Sequence, residues 1–253
     1  MASLKSSKPI LVTGGAKRIG LAIAQRFARL GHPVIIHASP RTAEAAEAET
    51  MCLVKSGFIA RCIIADLSKI EETAGLIEQA SEFYGPLETL VNNASVFEVD
   101  AAENFDLNLY EMHMAVNLRA PVLLASDFYR SVPKDYNSSI INIIDQRVWR
   151  LNPQYFSYTL AKSALWTATQ TMAQAFAPHV RVNAVGPGPV FPNAALGEKE
   201  FIKEYQAIPL AQSVDVASIV DAVIYLFNAK SVTGQMIAVD GGQHLSWQTP
   251  DIL

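Results

Sequence analysis

P-I-L-V-T-G-G-A-K-R-I-G, running from Pro9 to Gly20, is the stretch on which the fold depends. Pro9–Thr13 is an apolar run of strand length. Glycines follow at 14, 15 and 20. Residues 21–30, L-A-I-A-Q-R-F-A-R-L, then carry apolar side chains at helical spacing, and Gly31 is placed to end that helix. A strand, a glycine loop and a helix in this order bring backbone N–H groups and a helix N-terminus up to a pyrophosphate. A tight turn between strand and helix with no ligand would show the same order, but the full context favours the phosphate reading.

The alternation continues along the chain. Further strands are expected at Pro33–His37, Arg61–Ile64, Thr89–Asn92, Ile140–Ile144, Arg181–Val185 and Gln235–Val239. Helical patterns cover about 43–56, 69–84, 111–133, the stretch from Tyr158 onward, and 214–227. Seven strands alternating with helices predict one α/β domain over residues 1–253, a Rossmann-like doubly wound fold with a seven-stranded parallel sheet.

Composition agrees. The chain has 253 residues, half of them hydrophobic, which is enough for one large core. A net charge of −4 gives no reason to expect nucleic acid. Cys52 and Cys62 lie in aliphatic segments and read as reduced, buried thiols. The histidines at 32, 37, 113, 179 and 244 form no pair at metal-ligand spacing, so no metal is expected. M-A-S-L-K-S-S-K at the start has no apolar segment of signal length, and no run reaches the ~18 apolar residues of a membrane span. The expectation is a cytoplasmic protein that acts on a small molecule, with neither membrane nor nucleic acid as partner.

The chemistry concentrates between Asp145 and Lys162, D-Q-R-V-W-R-L-N-P-Q-Y-F-S-Y-T-L-A-K. Tyr158 and Lys162 are four apart and share a helix face. An ammonium beside a phenol favours phenolate, so the pair could move a proton near neutral pH. Asp145 stands at the end of the fifth strand, where open α/β sheets place their chemistry. Further back, Pro121 lacks the N–H that would bond the carbonyl of Asn117. That carbonyl is free to hold a water and the helix should bend there, although a kink needed only for packing would look the same.

Taken together, Thr13-Gly14 to Gly20, Asn92-Asn93-Ala94, Tyr158-x-x-x-Lys162, Pro187-Gly188 and Asp240-Gly241-Gly242 resemble the motifs of short-chain dehydrogenases/reductases, over roughly residues 8–243. Two positions depart from the common pattern. Arg18 replaces the middle glycine of the loop, and Asp145 stands where most members have Ser. With Phe97, these departures resemble the pteridine reductases of the family.

The resemblance implies NADPH as cofactor. Gly14, Lys17, Arg18, Ile19 and Gly20 would hold the phosphates. The second strand ends in His37-Ala38-Ser39-Pro40-Arg41-Thr42, with no carboxylate for ribose hydroxyls; with Arg41, Lys17, Ser39 and Thr42 nearby a 2′-phosphate would be welcome, and His37 would also line the cofactor. Asp66 and Leu67 would meet the adenine, although Asp66 could equally cap the next helix. Asn93, Ala94 and Ser95 would lie along the cofactor, and Pro187, Gly188 and Val190 would contact the nicotinamide amide. Lys162 would hold the ribose and lower the Tyr158 pKa, and Asn117 would hold a water linked to Lys162.

For substrate, the resemblance implies a flat pterin stacked by Phe97, anchored by Arg18 and Ser95, and protonated by Tyr158 with Asp145 as relay. A carboxylate near the phenol would raise the phenol pKa, whereas a protonated Asp145 would share its proton. Ser157 and Ser163 flank Tyr158 and are poor substitutes for the missing Ser. Residues 189–212 would form a mobile substrate lid, the helices after strands four and five a homodimer or homotetramer face, and Trp247 a subunit or pocket contact. A ketone reductase and a catalytically idle NADP(H)-binding scaffold are the alternatives.

Overall fold

A computed structural model describes residues 7–192 and 197–247. Seven strands form one sheet: β1 (Ile10–Val12), β2 (Val34–Ala38), β3 (Ala60–Ile64), β4 (Thr89–Asn92), β5 (Ser138–Ile143), β6 (Val180–Pro187) and β7 (Met236–Val239). Their order is β3-β2-β1-β4-β5-β6-β7, and every pairing is parallel. The expected doubly wound fold is borne out.

Helices cover both faces: α1 (Arg18–Arg29), α2 (Ala43–Lys55), α3 (Ile70–Thr73), α4 (Leu76–Tyr84), α5 (Leu107–Met114), α6 (Ala120–Ser131), α7 (Phe156–Phe176), α8 (Gly197–Gln206) and α9 (Val216–Asn228). Successive residues of a strand point to opposite faces. Thus Ile10 and Val12 of β1 pack with Phe27 of α1 and Val223 of α9. Leu11, between them, packs on the other side with Leu76 of α4, Phe128 of α6 and Met172 of α7. Both faces are dry, which is why the strands read as continuous apolar runs. Strand order reverses between β1 and β4, so the loops leaving them diverge and open a crevice at their C-terminal ends.

Arg181 anchors the far end of β6. Its guanidinium donates to the carbonyls of Leu226, Phe227 and Ala229 at 2.7, 2.8 and 3.0 Å. A cation there satisfies the orphan acceptors at the C-terminus of α9.

Several local expectations are corrected. The helix expected over 69–84 is two, α3 and α4, broken at Gly75, whose φ of +83° lies in the left-handed region. The helix expected from Glu111 begins earlier, at Leu107, because the Asp106 carboxylate caps it by accepting from the N–H groups of Asn108 and Leu109. Between α5 and α6, residues Ala115–Arg119 form a π-helical turn in which Ala120 N–H reaches back to Ala115. Pro121 cannot bond the Asn117 carbonyl, and the widened turn accommodates that gap. Within the expected lid, residues 197–206 are helical, with Phe201 buried. Cys62 is only half-buried and Cys52 is exposed, so neither is the core thiol expected. Among the described residues no helix is long and apolar enough to cross a membrane.

Candidate active site

The crevice is built first by close approach of backbone. Gly14 has φ +61°, and a Cβ there would fall 2.9 Å from Ala94 Cα. A Cβ on Gly20 would overlap the Gly14 carbonyl and the Asn93 amide. Thr13 Oγ accepts from the N–H groups of Asn93 and Ala94 at 2.9 and 3.1 Å, and Asn93 Nδ2 donates to the carbonyls of Thr13 and Gly14 at 2.9 and 3.0 Å. The ends of β1 and β4 are thereby locked together. Asn92 is a strand bridge: its Nδ2 donates to Asn142 Oδ1 at 2.9 Å, and Asn142 donates to Thr169 of α7 at 2.8 Å.

The N-terminus of α1 opens onto this crevice. Lys17 at its cap makes no side-chain cap bond, and the first turn carries no acid. The first N–H groups of a helix have no partner within it, so those of Arg18, Ile19 and Gly20 are available to an anion. Arg18 has φ +54°, and its guanidinium lies over the ring of Phe191 at 4.5 Å. That contact joins the glycine loop to the segment after β6.

His37 was expected on the cofactor, but its ring is buried and both nitrogens are taken. Gly14 N–H donates to Nδ1 at 3.2 Å, so Nε2 carries the hydrogen and donates to the Ala65 carbonyl at 3.1 Å. Burial pushes its pKa down to about 4. The side chain is a strut between the glycine loop and the end of β3. Ser39 and Thr42 pair their hydroxyls at 3.3 Å beside exposed Arg41. Asp66 Oδ1 accepts from the N–H and hydroxyl of Ser68 at 3.0 and 2.7 Å within a local turn; the next helix starts after Lys69 with no side-chain cap, so the expected helix cap is not formed, and Leu67 is buried.

At the opposite wall, a Cβ on Gly188 would fall 2.6 Å from Asp240 Cα, and Gly188 N–H donates to the Val239 carbonyl at 3.0 Å. The Pro187-Gly188 and Asp240-Gly241-Gly242 segments are packed on each other. Val190 lies against the core.

Between the walls sits the acid–phenol pair. β5 delivers Asp145 and the first turn of α7 delivers Tyr158, whose hydroxyl donates to Asp145 Oδ2 at 3.0 Å. Oδ1 accepts from Arg147 N–H at 2.7 Å. Burial pushes Asp145 up from the carboxylate range, and the Arg147 guanidinium opposes that. Tyr158 lies well above the ordinary phenol value, first through burial and then through the Asp145 charge.

The expected lowering of the phenol by Lys162 is therefore not what this arrangement produces. Lys162 is buried, donates to the Ile143 carbonyl at 2.8 Å, and lies 5.7 Å from the Tyr158 ring centre. Burial brings its own pKa down to about 8.

Phe97 stacks on Tyr155 at 4.3 Å with a 6° tilt and meets the edge of Tyr158 at 4.7 Å. Asn117 is fully buried, and its side chain clamps the neighbouring segment. Its Oδ1 accepts from Ser95 Oγ and Val96 N–H at 3.1 and 2.9 Å, and its Nδ2 donates to Val96 O at 2.9 Å. The Ser157 hydroxyl is engaged by His113 Nδ1 at 2.6 Å, away from the phenol. Trp247 is 65% exposed, and the tail beyond it lies outside the described residues. Sequence reasoning passed over Arg147, Tyr155 and His113, which carry no spacing signal.

Residues 14–244 match the sequence pattern described as enoyl-(acyl carrier protein) reductase. The chain belongs to the short-chain dehydrogenase/reductase family. Within this family it is similar to the dihydromonapterin reductase of Citrobacter koseri, 32% identical over 94% of this chain and 97% of the relative. It is also similar to the structure of FolM alternative dihydrofolate reductase 1 from Brucella canis complexed with NADP, with a TM-score of 0.94, 46% identity and full coverage of both chains. The counterpart from Brucella suis, in complex with NADP, gives a TM-score of 0.94 at 47% identity, over 98% of this chain and 99% of that one.

Proposed function

We propose that this chain is an NADPH-dependent oxidoreductase that reduces a C=N bond of a flat, pterin-type substrate. The single observation that carries the reading is the Tyr158–Asp145 hydrogen bond beside the Phe97 ring. A carboxylate in place of a hydroxyl suits a ring nitrogen that must gain a proton better than it suits a carbonyl oxygen. The dihydromonapterin reductase and NADP-bound FolM relatives support the same substrate class and cofactor.

The residues present fit the cofactor. The uncapped α1 N-terminus with Lys17 at its cap and the glycine cradle at 14 and 20 suit its diphosphate, and Ser39 and Arg41 suit a 2′-phosphate. Bound there, NADPH would supply the hydride. Tyr158 delivers a proton from its hydroxyl, and Asp145 resupplies it. Lys162 holds ribose hydroxyls, and the Asn117 carbonyl, left unbonded by Pro121, holds a water near that lysine. Asn93, Ala94, Ser95, Pro187, Gly188 and Val190 line the cofactor, with Asp66 and Leu67 at the adenine. Phe97 stacks the substrate, and Arg18 and Ser95 take its polar edge. Residues 189–212, of which 193–196 lie outside the described residues, serve as the lid, and the Arg18–Phe191 contact supports that role. We further infer a cytoplasmic homo-oligomer, dimer or tetramer, joined through α6 and α7.

NADPH oxidation with dihydrobiopterin, dihydrofolate or an acetoacetyl thioester tests the reading. Turnover of a pterin, abolished in Tyr158→Phe, is expected. Turnover of the thioester alone would overturn it in favour of a ketone reductase.

A further inference from the structure

Arg147 has no part in the scheme above, yet its placement is costly. The residue is 9% exposed, and Nε and Nη1 are buried without a hydrogen-bond partner. Among the described residues no carboxylate lies within ion-pair distance of it. A buried cation so poorly paired is destabilising unless something else holds it.

Two contacts hold it. The guanidinium lies over the Tyr155 ring at 4.9 Å, and Tyr155 is the ring on which Phe97 stacks. Tyr155 itself has φ +57°, a left-handed conformation that a tyrosine rarely takes, and its N–H donates to the Asp100 carbonyl at 2.9 Å. The second contact is through the main chain, from Arg147 N–H to Asp145 Oδ1 at 2.7 Å. One residue thus touches the acid directly and the aromatic stack through its side chain.

The other charged and titratable groups nearby are already engaged. On α7, Lys162 is bonded to the Ile143 carbonyl. On α5, His113 sits between Glu98 N–H and the Ser157 hydroxyl. In the loop after β4, Asp100 accepts from Ser157 N–H, and Glu98 is exposed. Near the C-terminus, Asp240 pairs with His244. On β6, Arg181 is spent on the end of α9. Lys162 also acts on Asp145, but Arg147 is the cation whose influence reaches both Asp145 and Tyr158.

We propose that Arg147 is a positioning residue of the acid–phenol pair: its guanidinium, pinned on Tyr155 beside the turn whose N–H holds Asp145, favours the charged form of that carboxyl and sets the pH at which Asp145 gives up the proton it supplies to Tyr158. Arg147 also opposes the burial effect on both partners.

The activity arm of the test rests on the function proposed above, and the titration arm does not. The Asp145 carboxyl is titrated by carbon-13 NMR in wild type, Arg147→Met and Arg147→Lys, with its resonance identified by its absence in Asp145→Asn. Arg147→Met is expected to raise the Asp145 midpoint by about one pH unit, the usual scale for losing a nearby opposite charge. Arg147→Lys restores most of the wild-type value. The fall in kcat with rising pH should move upward by the same amount, with the KM for NADPH unchanged. Equal midpoints in wild type and Arg147→Met overturn the proposal. If Arg147→Met does not fold, Arg147→Gln is compared with Arg147→Lys, and equal midpoints in those two overturn it. A protein that reduces no pterin but shows the shifted midpoint refutes the proposed function and leaves this inference standing.

Discussion

Tyr158 gives its hydroxyl hydrogen to Oδ2 of Asp145 at 3.0 Å, so the carboxylate and any phenolate would share one buried site. Burial is the first reason both groups are displaced upward from their ordinary values; the Asp145 charge pushes the phenol further up, whereas the hydrogen bond from Tyr158 draws the carboxyl back down. Asp145→Asn keeps the shape and removes one charge. The phenol should then titrate at lower pH than in the wild type. Ultraviolet difference titration against Tyr158→Phe reads that midpoint, and an unchanged value would show that the acid does not govern the phenol. Tyr158→Phe itself should lower kcat by about 10²–10⁴-fold, the range for losing a positioned proton donor.

His37 makes stability depend on pH. Its folded pKa is about 4 against 6.5 for the free ring. Between those values the unfolded chain takes up a proton that the folded chain refuses. The residue's contribution is therefore complete above about pH 6.5 and is lost as pH falls toward 4, a change of roughly 3 kcal/mol. His37→Asn can still accept from Gly14 N–H but cannot titrate. Urea unfolding at pH 7 and pH 5 should show a smaller difference for the variant than for the wild type. Equal differences would remove His37 from the account.

Gly20 bears a steric prediction. An added Cβ meets the Gly14 carbonyl and the Asn93 amide, both locked in place by Thr13 and β4. Neither can retreat without opening the glycine loop. Gly20→Ala should cost about 1–3 kcal/mol in stability, the usual range for overpacking, and should abolish the rise in NADPH fluorescence on binding. Retained binding would mean that the loop is softer than its contacts indicate.

Much of this was legible because it rests on local pattern. Glycines between an apolar run and a helical period marked the first βα unit, and its repetition carried the parallel sheet. Asp145 and Tyr158 could be paired because a strand end and the start of the next helix must meet above the sheet. The break at Gly75 was not legible, since glycine inside a helical period does not announce its φ. Nor was the helix at 197–206, whose apolar residues are few. The strand position of His37 was read correctly and the direction of its ring was not, because the partners at 14 and 65 come from other elements. Arg147 and the inverted order of influences on Tyr158 depend on burial and on distances across three elements, which spacing does not encode.

Cofactor choice offers the last prediction. No acid stands at the end of β2, and exposed Arg41 lies beside the Ser39–Thr42 pair, close enough to Asp66 to lower that carboxyl's pKa after the stronger effect of Ser68. A 2′-phosphate placed there would gain charge-assisted hydrogen bonds that a 2′-hydroxyl cannot make. Arg41→Ala should therefore reduce kcat/KM for NADPH by about 10–100-fold, the equivalent of one hydrogen bond to a charged group. The corresponding value for NADH should barely move, because the lost contact was never made to it. Lys17→Ala, at the cap of α1, should weaken both cofactors, since the diphosphate is common to them. The ratio of the two efficiencies separates these cases, and an equal loss for NADPH and NADH in Arg41→Ala would place the phosphate elsewhere.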